Sequence, residues 1–174
     1  MPISLASLNA CDRAAFVATL GHLFEHSPWV ADEAYAKRPF PDADSLFAAL
    51  CASMRGAPAA RQLELLRAHP DLAGRLAKAG ALTESSTREQ SAAGLDRLSA
   101  AEADEISRLN EAYRARFGFP FIICARLNAK DAILSSMRAR VKNGAATELS
   151  TALGEVAKIA RLRLGEVLGE GDAP

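Results

Sequence analysis

Cysteine is scarce and badly placed for cross-linking. Cys11, Cys51 and Cys124 are odd in number, far apart and without CxxC spacing. No disulfide framework follows; they read as reduced, small core side chains. Net charge is missing as well, since 21 basic side chains face 21 acidic ones, so the chain offers no electrostatic footprint for nucleic acid. No apolar run approaches the ~20 residues that span a bilayer. Met1-Pro2-Ile3-Ser4-Leu5 lacks the basic start and long apolar stretch of a signal peptide, and Gly171-Asp172-Ala173-Pro174 is not a peroxisomal address. These absences predict a cytoplasmic protein that engages neither nucleic acid nor a membrane. Aromatic residues make up only 6% and β-branched residues are few, which disfavours sheet. Internal repeats, low-complexity tracts and long linkers are lacking too.

What is present is Ala and Leu, in a chain of 174 residues that is 49% hydrophobic. Such a chain is long enough to bury a core and strongly biased to helix. The expectation is an all-α fold: one domain, residues 1–174, forming a helical bundle of about eight helices.

The patterning fills in the elements. Asn9 and Asp12 are candidate caps for a helix whose apolar face is Phe16, Leu20, Leu23 and Phe24. His22 and His26 would sit one turn apart on it, a metal-holding spacing with no third ligand nearby, so a solvated pair is the expectation. Ser27-Pro28 reads as N-cap and first position of a short helix to about Ala36. Leu46, Phe47, Leu50 and Met54 stripe a helix that Gly56 closes, and Pro58 opens the next, carrying Leu63 and Leu66. That helix must stop at His69-Pro70, because proline lacks the amide proton and disfavours the α region at the residue before it. His69 either caps the last carbonyls of its helix or serves in proton transfer from a rigid joint. A short helical piece is expected from Asp71 to near Gly80.

Glu89 has two readings. With Ser86 as N-cap, Ser86 to Glu89 is a capping box and the carboxylate serves the backbone. With Thr83 as N-cap, Ser86, Glu89 and Gln90 project from one face. Ser99 to Glu102 is a second capping box, opening a long helix that Gly118 ends. Residues 119–126, Phe-Pro-Phe-Ile-Ile-Cys-Ala-Arg, form an apolar extended segment with no second strand to pair with. Its backbone groups must bond to neighbouring helices or to a ligand. Asn128 can cap a helix lined by Ile133, Leu134, Met137 and Val141. The last helix, from about Ala146 to Leu168, buries Leu149, Leu153, Val156, Ala160 and Val167 on a stripe that also contains Arg163. That arginine either snorkels to the edge or meets an acceptor in the interior.

Taken together, His69-Pro70-Asp71-Leu72-Ala73-Gly74, Glu89-Gln90-Ser91-Ala92-Ala93-Gly94-Leu95, Leu109-Asn110 through Tyr113, and Arg116 through Arg126 resemble one family. It is the 2-oxo-4-hydroxy-4-carboxy-5-ureidoimidazoline (OHCU) decarboxylases of urate degradation. The resemblance implies an all-helical homodimer that converts OHCU to (S)-allantoin and carbon dioxide without cofactor or metal. It also implies the site. His69 matches the catalytic histidine, with Glu89 as a catalytic carboxylate. Pro70, Ser86, Gln90, the backbone of Phe121, Ile122, Ile123, Cys124 and Ala125, and Arg163 would bind the substrate. The alternative from another class is a non-catalytic helical module that binds a ligand or partner.

Overall fold

Ser4 starts the first helix by accepting the Ser7 N–H at 3.1 Å, and this short helix, α1 (Leu5–Ala10), precedes the first one that the patterning suggested. The computed structural model describes residues 1–74 and 80–170 and is all-α, with nine α-helices and no strand among the described residues. After α1 come α2 (Arg13–Leu20), α3 (Trp29–Ala34), α4 (Ala43–Gly56) and α5 (Ala59–Arg67). Then follow α6 (Glu84–Ala92), α7 (Ala100–Phe117), α8 (Lys130–Arg140) and α9 (Ala145–Leu168). Of the helical piece expected between Asp71 and Gly80, residues 75–79 lie outside the described residues.

The chain divides into two compact units, Met1–Ala68 with Val156–Pro174, and His69–Glu155. In the first unit α2 and α4 each pack on α3. Phe16, Leu20, Val30, Leu46, Leu50, Met54, Leu65 and Leu66 are fully buried, as are Ala160 and Leu164. Asp12 caps α2, accepting the Ala15 N–H at 2.8 Å. Asn9 does not cap it. Its side chain bonds instead to both the amide and the carbonyl of Phe40, at 2.9 and 2.8 Å. The carbonyls of Asn9 and Cys11 at the end of α1 accept from Arg38 Nη1 at 2.9 and 2.7 Å, so α1 is capped by a distant side chain. Ser27-Pro28 starts α3 one residue later than expected, with Pro28 as N-cap.

Helix α2 stops at Leu20 and tightens into a 3₁₀ turn, Gly21–Leu23. His26 then adopts φ 49° in the following bend. The helical register between His22 and His26 is therefore lost, and both residues keep solvent exposure, His22 only in part, as expected of a solvated pair.

In the second unit α7 packs on α8, and Arg138 clamps Glu105 with two bonds, at 2.6 and 2.8 Å. The Ser99 to Glu102 capping box is complete, and Gly118 closes α7 at φ 77°. Asn128 does not cap α8. Ala129 holds that position, and the Asn128 amide donates to the Cys124 carbonyl at 3.0 Å.

Candidate active site

Helix α5 ends as Pro70 requires. The Ala68 N–H still donates to the Glu64 carbonyl at 3.0 Å, and His69 is the first residue beyond the helix. His69 is buried and Pro70 half-buried. The chain then turns sharply. The Gly74 N–H reaches back to the Asp71 carbonyl at 3.3 Å, and Ala73 takes the left-handed φ of 48°. A Cβ on Gly74 would lie 2.7 Å from the Asp71 Cβ, so only glycine fits without displacing the turn.

Three side chains from α6 and α7 hold this turn. Arg114 donates to the Asp71 carboxylate at 2.8 Å, and Asn110 donates to the Leu72 carbonyl at 2.9 Å. The Gln90 side-chain oxygen accepts the Ala73 N–H at 3.0 Å. That bond also orients the Gln90 amide, because only the oxygen can accept. Its NH2 is the end left to offer a ligand.

The two readings of Glu89 are resolved by Thr83, which caps α6 by accepting the Ser86 N–H at 3.2 Å. Ser86 is therefore inside the helix, and Ser86, Glu89 and Gln90 share one face. Ser86 and Gln90 are buried and Glu89 is half-buried. This face looks towards the apolar segment, since α6 packs on the 3₁₀ turn Ala125–Leu127. Burial, reinforced by Glu155 and Glu89 against the opposing Leu127 amide and Arg126, raises the pKa of the Cys124 thiol. Cys124 is thus kept protonated and is no thiolate nucleophile.

Residues Phe119 to Ala125 are all buried, and Phe119 to Cys124 form neither helix nor strand before the 3₁₀ turn. Helix side chains satisfy part of their backbone. Arg140 Nη1 donates to the Ile122 carbonyl at 2.8 Å, and the Glu155 carboxylate accepts the Cys124 N–H at 2.8 Å. Among the described residues, no hydrogen bond reaches the amide or carbonyl of Ile123. Arg140 also pairs with Glu148 at 2.6 Å and lies 4.3 Å from the Phe121 ring centroid. Glu148 is fully buried and accepts from Tyr113 at 2.6 Å and Asn143 at 3.0 Å. Burial, then the Glu148 carboxylate, raises the Tyr113 pKa far above its ordinary value. Tyr113 therefore serves as a permanent donor.

Asn110, Arg114, Arg140, Glu148 and Glu155 were not singled out by patterning. The available signal was modest: Glu148, Ala152, Glu155 and Ile159 recur at helical spacing on α9, which puts two carboxylates into a buried stripe.

Arg163 belongs to the first unit and is only 3% exposed, so it does not snorkel. Its Nη1 meets the buried Glu25 carboxylate at 2.9 Å and the His22 carbonyl at 3.3 Å. The interior acceptor is thus a carboxylate of the chain itself.

The second unit supplies an imidazole at a rigid joint, a carboxylate, an amide NH2 and an unpaired backbone amide and carbonyl. Such a set suits acid–base chemistry on a small molecule rich in amide groups. The OHCU decarboxylase family model matches residues 9–165. The chain belongs to that family. The OHCU decarboxylase of Haloferax volcanii is 44% identical over 164 residues, 94% of this chain and 95% of that protein. Among solved structures, an (S)-allantoin synthase superposes with a TM-score of 0.76 at 31% identity. That match covers 96% of this chain but only 54% of the other. An OHCU decarboxylase crystallised in the presence of (S)-allantoin gives a TM-score of 0.66 at 26% identity, covering 81% of this chain and 91% of that one. Among the described residues no helix is long and apolar enough to cross a membrane.

Proposed function

We propose that this protein is a carbon–carbon lyase that decarboxylates OHCU to (S)-allantoin in urate degradation. In this reading residues 1–174 work as one OHCU decarboxylase-like domain of a cytoplasmic homodimer. The observation that carries it is the turn after α5, where family membership and geometry meet. Three side chains, a left-handed Ala73 and a sterically required Gly74 immobilise the residues that follow His69 and Pro70.

The substrate itself supplies the electron sink. When the carboxylate leaves as carbon dioxide, its bonding pair flows towards the adjacent ring C=N, whose nitrogen takes a proton. The resulting enol loses its hydroxyl proton as the neighbouring ring carbon gains one, giving the ketone. His69 is the group that moves these protons. Glu89 hydrogen-bonds His69 or the substrate, while Ser86, the Gln90 NH2 and the backbone of Phe121 to Ala125 fix the ureido and ring amides. Pro70 lines the ligand, and Arg163 is a polar clamp whose guanidinium is also held by Glu25. Proton delivery to one face gives a single enantiomer.

The test generates OHCU in place from urate with the two preceding activities and follows optically active allantoin by circular dichroism. A fast rise of one enantiomer is expected. Racemic allantoin at the uncatalysed rate, from well-folded protein, would overturn the reading in favour of a non-catalytic binding module.

A further inference from the structure

We infer that Glu155 and Arg140 are positioning residues that set the backbone of Ile122 to Cys124 for ligand binding. The inference rests on the proposed function above, because it concerns the segment assigned there to the substrate.

Burying charge in a helical core is costly, and apolar side chains of similar size would stabilise the unit equally well. Yet Glu148 is fully buried, and Arg140 and Glu155 are each only 8% exposed. Both Arg140 and Glu155 bond to the main chain of one short segment. Arg140 takes the Ile122 carbonyl and Glu155 takes the Cys124 amide, each at 2.8 Å. In non-helical, extended backbone the polar groups of alternate residues point to alternate sides. Ile122 and Cys124 therefore offer one edge to the helices, and Ile123 lies between them on the other. Ile123 is 7% exposed, and its amide and carbonyl have no hydrogen bond among the described residues. The two charged side chains stand in for a neighbouring strand, so that the opposite edge presents one donor and one acceptor together. That pair matches a ureido or ring amide, which carries an acceptor beside a donor.

The rest of the buried network keeps Arg140 in register. Glu148 takes its Nε at 2.6 Å and is itself held by Tyr113 and Asn143, while the Phe121 ring lies against the guanidinium. Among the described residues Arg140 Nη2 makes no hydrogen bond, and the side chain bonds to Glu148 and the Ile122 carbonyl.

The test compares wild type with Glu155→Gln and Glu155→Leu, measuring OHCU kinetics, amide hydrogen exchange and melting. Glutamine keeps an oxygen for the Cys124 N–H, and leucine does not. Glu155→Gln should stay within about 3-fold of wild type in kcat/KM. Glu155→Leu should raise KM by ~10-fold with kcat within about 3-fold, the signature of lost uniform binding. Exchange should quicken at residues 122–125 and not along α8. Arg140→Lys, which keeps the charge beside Glu148 without reaching both partners, should reproduce the KM effect if the leucine variant does not fold. An unchanged KM in the leucine and lysine variants of an active enzyme would overturn the inference alone. A KM rise accompanied by faster exchange throughout α8 would overturn it as general loosening. A wild-type protein without turnover would overturn the functional reading and this inference with it.

Discussion

The Gln90 side chain holds Ala73 in its left-handed conformation through a 3.0 Å bond from the Ala73 amide. One end of a buried amide thus shapes the turn behind His69, and the proposed function gives the other to the substrate. The two ends separate by mutation. Gln90→Leu removes both and should cost about 1–2 kcal/mol as well as activity, since it leaves a backbone amide unpaired. Gln90→Glu keeps the acceptor and loses the donor. It should melt within a few degrees of wild type and raise KM by ~10-fold. Equal melting losses in the two variants would show that the amide works only as a support.

Glu89 gives a sharper contrast. Thr83 caps α6, so Glu89 has no part in a capping box there. Glu89→Gln should leave stability within about 0.5 kcal/mol while lowering kcat by ~100-fold. His69→Asn should lower kcat by about 10³-fold with an unchanged circular dichroism spectrum. Near-normal kcat in either variant would remove that residue from the proton-transfer steps.

Arg163 is held by a carboxylate of the chain itself. The pair with Glu25 has side chains only 4% and 2% exposed, so removing one partner leaves the other charged in the interior. Arg163→Ala should therefore destabilise by about 3 kcal/mol in addition to weakening binding. The double variant Arg163→Met with Glu25→Gln should regain most of that stability and none of the affinity. A double variant that melts as low as Arg163→Ala would assign the loss to packing of the arginine stem.

These contrasts mark what local sequence could and could not reveal. Pro70, Gly118 and the Ser99 to Glu102 box act within a turn or two of chain, so their helix ends are legible from neighbours alone. Asn9 and Asn128 have the chemistry of caps, but each bonds elsewhere: Asn9 to Phe40 and Asn128 to Cys124. Several residues could cap those helices, and tertiary bonds decided the matter. The buried set of Arg140, Glu148 and Glu155 was hidden for a related reason. Charged residues on helices ordinarily face solvent; here the Ile122 carbonyl and the Cys124 amide give Arg140 and Glu155 a place inside, and Glu148 pairs with Arg140. The common face of Ser86, Glu89 and Gln90 was legible as one of two alternatives, because helical spacing fixes it once Thr83 is the cap.

His22 supplies a pH dependence outside the proposed chemistry. Partial burial, then the Arg163 guanidinium, lowers its pKa from 6.5, against the Thr19 carbonyl and Glu166, which raise it. A lowered value means that the unfolded chain binds the proton more readily than the folded one. The stabilisation from a neutral His22 is therefore complete above pH 6.5 and is lost as the pH falls through the folded value. His22→Gln should remove that component, so its melting temperature should fall less than wild type's between about pH 7.5 and about pH 5. The imidazole resonance of His22 should titrate with a midpoint below 6.5, rising towards it in Arg163→Met with Glu25→Gln as the nearby guanidinium is removed. A midpoint above 6.5 in wild type, with parallel melting curves for the two proteins, would mean that Glu166 and the Thr19 carbonyl outweigh burial and Arg163.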